Sequence, residues 1–166
     1  MLKSILCVNP WEIIFFEGIT TKIFDHKPYL LKTLGHLIMT GADTNADALA
    51  KGNILSKISE IAEKVLVYVN TEDKLLTISR FLWRRQRLGI DGLKDIVIAH
   101  SEKVEIINTT HTISHQYGLG TFIRHYDFKD NPTVTQDIEL ALGIEKKVNP
   151  KRKLINEQKY VLIEAD

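Results

Sequence analysis

An α/β fold, a mostly parallel sheet flanked by helices, is predicted by three short apolar runs, by the amphipathic stretches between them, and by the turn-forming residues that close each run. The runs are Leu37-Ile38-Met39-Thr40, Val65-Leu66-Val67-Tyr68-Val69 and Val104-Glu105-Ile106-Ile107-Asn108. The first two lack polar alternation, which suits strands covered on both faces. Strands that alternate with helices imply crossover connections and parallel pairing.

Taken in order, residues 1 to 8 read as a short helical piece stopped by Asn9-Pro10, because proline disfavours helical geometry in the residue before it. Ile13 to Phe16 and Tyr29 to Leu34 are apolar clusters set around the breakers Gly18, Asp25 and Pro28, which predicts two short helices or a helix and a loop. Leu37 to Thr40 is the first strand, and Gly41-Ala42-Asp43 marks its carboxyl end. Asp47 to Ala50 is a single helical turn. Ile54, Ile58, Ile61 and Ala62 recur at helical spacing, so an amphipathic helix is expected over 53–63. After Val65 to Val69, the spacing of Leu75, Leu76, Ile78, Ser79 and Leu82 predicts another helix, ended by Trp83-Arg84-Arg85-Gln86-Arg87 and Gly89. Val104 to Asn108 is the third strand, and Asn131-Pro132 opens a last helix over 133–142 that Gly143 ends. From Ile144 the chain is lysine-rich, a basic tail over 144–166 in which Tyr160-Val161-Leu162-Ile163 can form an edge strand. Three strands make a small sheet. An open edge is therefore expected beside Leu37 to Thr40 or Val65 to Val69.

Bulk composition narrows the classes of partner. The 166 residues are 44% hydrophobic and 26% charged, as in a globular domain, and the net charge of +1 provides no overall field toward nucleic acid or membrane. No run of about 18 apolar residues exists, so no membrane span is expected. No signal-peptide cleavage pattern follows the first apolar run, and the single cysteine, Cys7, excludes an internal disulfide. These features favour a cytoplasmic location and no nucleic-acid partner.

Chemistry concentrates at two positions. Asp73 lies just past the second strand, where a carboxylate can accept a hydrogen bond from an imidazole, fix its tautomer and stabilise the imidazolium. It is equally placed to cap the helix starting at Lys74. His125 can act as a general base or pair with Asp127 or Asp130, and His115 is a second candidate base. An acid followed by a histidine is the order of the last two members of a Ser, Asp, His triad, yet no Gly-x-Ser-x-Gly occurs. His111 and His115 have metal-ligand spacing for a helix, but β-branched neighbours oppose helix there and Thr112 stands where a zinc protease carries Glu. Gly118-Leu119-Gly120 lacks the third glycine of a dinucleotide loop. Neither a metal nor a cofactor is expected. Arg84, Arg85 and Arg87 fit the carboxyl end of a helix without any ligand.

Taken together, the stretches Leu37 to Leu49, Val65 to Arg80, Arg87-Leu88-Gly89, Val104 to Asn108 and His125 to Ile138 resemble, in order, a family of bacterial α/β-hydrolases of unknown function, esterase- or lipase-like. The resemblance spans roughly residues 37 to 142. It implies that Asp73 is the acid, that His125 rather than His115 is the base, and that residues 1–143 are the C-terminal portion of a hydrolase domain. The family's nucleophile sits in a Gly-His-Ser-Met-Gly type elbow, and Met1 to Leu6 looks like the interior of the helix that follows it. On that view the nucleophile and oxyanion donors lie upstream, and the expected substrate is an ester-like small molecule that this chain does not turn over alone. A hydrolase segment from elsewhere, or self-association, would complete it. The competing expectation is a non-catalytic remnant or interaction module that pairs through an exposed sheet edge.

Overall fold

The computed structural model describes residues 4–8, 34–53, 55–93, 101–112, 131–144, 149–156 and 159–163. The expectations for 9–33, and the residues His115, Gly118, Gly120 and His125, fall outside them.

A six-stranded, mostly parallel sheet organises the described residues, in the order β1-β2-β3-β4-β6-β5. Its strands are β1 Ser4–Val8, β2 Leu34–Thr40, β3 Lys64–Val69, β4 Val104–Asn108, β5 Lys151–Asn156 and β6 Lys159–Ile163. β1 to β4 are neighbours in chain order and all parallel, with Leu37 opposite Val65 and Val65 opposite Val104. β6 runs parallel to β4, and β5 pairs antiparallel on its outer side.

The three apolar runs form the three middle strands of the parallel set. Residues 4–8 do not form the expected helix. Ser-Ile-Leu-Cys-Val carries β-branched residues and lies against β2, whose backbone groups it pairs, so strand pairing overrides a weak local preference. The expected open edge also moves. β2 is paired by β1 and β3, and β3 by β2 and β4, so neither presents unpaired backbone there.

Alternation along the strands divides the core into two layers. Leu37, Met39, Val65, Val67, Val69, Val104 and Ile106 face one side, where Ala42, Leu49, Leu55, Ala62 and Leu88 cover them. The covering segments include α1 (Ser56–Ile61) and the short α3 (Leu88–Asp91). Ile38, Leu66, Tyr68, Ile107 and Leu162 face the other side, packed under Val134 and Ile138 of α4 (Pro132–Ala141). Burial on both faces explains why β2 and β3 read as continuous apolar runs.

The second layer carries charge as well. Tyr68 Oη donates to Asp137 Oδ2 at 2.7 Å, and Arg152 of β5 donates to both oxygens of Asp137 and to Glu105. Lys64 Nζ lies 2.7 Å from Glu105 Oε1. The lysine-rich segment is thus a folded edge strand, fastened by Arg152. Burial pushes the Tyr68 hydroxyl well above its ordinary range, and the negative charge of Asp137 adds to the effect. Burial alone would lower the Arg152 pKa, but its hydrogen bonds to Asp137 and the surrounding negative charge raise it overall.

Candidate active-site edge

The carboxyl ends of β2, β3 and β4 lie side by side, and the segments leaving them are fastened to one another. Asn70 follows β3. Its side-chain oxygen accepts from Glu72 N at 3.0 Å, and its carbonyl accepts from Asp73 N at 3.2 Å, which turns the chain into α2 (Lys74–Trp83). Asp73 is only 2% exposed and caps that helix, Oδ1 accepting from Leu76 N at 2.9 Å. The capping role weighed from the sequence is therefore present.

The β3 exit is stitched to the β4 exit. Thr109 N donates to Val69 O at 2.9 Å, Thr71 N donates to Thr110 Oγ1 at 3.0 Å, and the two threonine hydroxyls are 3.0 Å apart. His111 follows, exposed and in a turn after β4, so its spacing to His115 is not helical at the first histidine. Among the described residues, no group of three His, Cys, Asp or Glu side chains is arranged to hold a metal ion.

Asn131 closes the arrangement. Fully buried, it caps α4 by accepting from Thr133 N at 3.0 Å and Val134 N at 3.2 Å, while its Nδ2 donates to Thr112 Oγ1 at 2.6 Å. Thr112, four residues beyond β4, and the residue that begins α4 are therefore in direct contact. His115 and His125 belong to the stretch between those two fixed points. Sequence reasoning found the cap at Asn131 but not the clamp. A buried asparagine has two donor hydrogens that capping does not use, and that surplus is the only signal the sequence offers.

Arg87 differs from Arg84 and Arg85. It follows α2 and is 7% exposed, its Nε 3.2 Å from Asp43 Oδ1 at an angle too poor for a hydrogen bond, while Ser79 Oγ donates to the same oxygen at 2.7 Å. It is a buried partner of the β2 exit and precedes α3, beyond the carboxyl end of α2 where the sequence placed it. Gly89, expected to end a helix, instead lies within α3. Its N–H donates to Ala42 O and its carbonyl accepts from Asn70 N, both at 2.9 Å, joining the β2 and β3 exits through one residue. A Cβ there would stand 2.6 Å from Ala42 N, so glycine is required by proximity. Beside this edge, Asn45, Ala46, Asp47, Arg85 and Gln86 line a cleft of about 450 Å³.

Compared with models of known families, with curated proteins and with solved structures, the chain matches none. Among the described residues, no helix is long and apolar enough to cross a membrane.

Proposed function

We propose that the chain is the C-terminal portion of a serine-esterase-like α/β-hydrolase fold, carrying Asp73 as acid and His125 as base for a nucleophile that another segment supplies. The observation that supports this most is the Asn131 to Thr112 hydrogen bond at 2.6 Å, together with the Thr110 to Thr71 contact at 3.0 Å. Both ends of the histidine-bearing stretch are thereby held at the β4 exit, and Thr71 is two residues from Asp73. His125 precedes Asn131 by six residues, a tether of at most roughly 20 Å when fully extended, so the edge that holds Asp73 is within its chain reach. A parallel sheet keeps its chemistry at these carboxyl ends.

In this arrangement Asp73 would orient the imidazole through Nδ1, leaving Nε2 to take a proton from the nucleophile and return it to the leaving alcohol. The substrate class is an ester-like small molecule.

Assay of residues 1–166 on a short acyl ester such as p-nitrophenyl acetate tests the division of labour. Turnover at the level of buffer, unchanged in His125→Ala, is expected. Robust turnover abolished by His125→Ala would place an unrecognised nucleophile within these residues, Ser114 or Cys7, and overturn the proposal.

A second reading, an interaction module that pairs through a sheet edge, draws on β5, an edge strand on which Leu154 and Ile155 are more than half exposed. Lys151 and Lys153 on the same strand oppose such pairing. Discrete oligomers on size exclusion that Ile155→Lys dissolves would favour this reading, and a monomer would remove it.

A further inference from the structure

We propose that the outer face of α2 docks on an anionic lipid bilayer. This helix buries a single side chain, Leu76, which lies beside Gly89 of α3, and exposes a second apolar face. Leu75, Ile78 and Leu82 recur at spacings of three and four, and Phe81 borders them at 82% exposure, so one solvent-facing ridge runs the length of the helix. Trp83, 69% exposed, stands at its end. A solvated helix normally places polar residues opposite its buried face. Here that position is apolar.

Charge identifies the occupant. From Lys74 to Arg87 the sequence has five cations and no acid. Two of them are paired with acids, the exposed Arg80 with Asp91 at 3.1 Å and the buried Arg87 with Asp43 at 3.2 Å. Arg84 and Arg85 remain exposed beside Trp83, where a φ of 51° at Arg84 ends the helix. An apolar ridge of Leu, Ile and Phe, with Trp83 and two exposed arginines at its carboxyl end, is the composition of an interfacial helix, whose apolar side chains enter the acyl boundary while its cations meet anionic headgroups. The ridge is also convex, which a bilayer accepts and which a folded partner must match with a groove. A second copy is the competing occupant, and the test below separates it from lipid. The whole-chain charge of +1 conceals this local asymmetry. The inference stands independently of any catalytic role for Asp73.

Co-sedimentation of the full chain with vesicles is the test, comparing mixed phosphatidylglycerol and phosphatidylcholine with phosphatidylcholine alone. The chain is expected to pellet with the anionic vesicles. Partition should fall roughly 30-fold in Arg84→Gln/Arg85→Gln and at least about tenfold in Phe81→Ser/Trp83→Ser. All four side chains are exposed, so the circular dichroism spectrum and Tm of both variants should match the parent. Failure to pellet with anionic vesicles, or equal partition of parent and both variants, overturns the proposal. A concentration-dependent dimer in the absence of lipid that Phe81→Ser/Trp83→Ser abolishes also overturns it, assigning the ridge to a second copy.

Discussion

Arg152 holds the fully buried carboxylate of Asp137 through two hydrogen bonds, Nε to Oδ1 at 2.7 Å and Nη2 to Oδ2 at 2.8 Å. The pair joins the outermost strand β5 to α4, the helix that covers one face of the sheet, and Tyr68 of β3 donates to the same carboxylate. β5 exposes two apolar side chains and is held by its backbone pairing with β6, to which this fork adds a side-chain link to α4.

Arg152→Ala should therefore cost about 3–5 kcal/mol in urea unfolding, since it leaves a buried carboxylate without its cation. Replacing both partners, Arg152→Leu with Asp137→Leu, should cost clearly less than the single change. Equal losses in the two proteins would show that the fork contributes packing rather than charge pairing.

Tyr68 gives the network a pH signature. Its folded pKa lies above the unfolded value of roughly 10, so its stabilising contribution is fully present below pH 10 and declines as pH rises above that value. Tyr68→Phe should lose about 1.5–3 kcal/mol at neutral pH, the worth of a hydrogen bond to a charged group. It should also show a shallower fall in Tm than the parent above pH 10. Parallel alkaline profiles would mean that the hydroxyl does not titrate with unfolding.

Gly89→Ala tests the joint between the β2 and β3 exits. The added methyl meets backbone at Ala42 N and the Leu76 side chain at 2.6 and 2.7 Å, so a destabilisation of about 1–3 kcal/mol is expected by chemical denaturation. Gly143→Ala makes a useful contrast, because among the described residues no atom beyond its chain neighbours lies within 4 Å of the added methyl, and its φ of 82° is the source of strain there.

Much of the fold was legible because local signals agreed. The runs at 37–40 and 65–69 are apolar on both faces, and the Asn131-Pro132 start of α4 carries its cap and its fixed φ in two adjacent residues. β1 was not legible, because five residues hold too little pattern to separate helix from strand and the pairing with β2 decides. Tyr160 to Ile163 was legible as a strand and forms β6, though inside the sheet rather than at its edge, whereas β5 was obscured by lysines, which an edge strand tolerates and which resemble a solvated tail. At the candidate site Asp73 was legible from its position after β3. The roles of Asn131, Thr112, Thr110 and Thr71 depend on contacts across 19 and 39 residues of sequence, which no local spacing encodes.

The account turns on whether Asp73 orients His125, and long-range ¹H–¹⁵N spectra of histidine-labelled protein measure that directly. His125 is assigned by its loss in His125→Gln, and the parent is compared with Asp73→Asn, which keeps an oxygen to cap Leu76 N. The predicted result is one tautomer for His125 in the parent, protonated on Nδ1, that is lost or inverted in Asp73→Asn while the other five histidines are unaffected. A His125 ring with the same spectrum in both proteins would contradict the acid and base assignment and leave Asp73 as a helix cap alone.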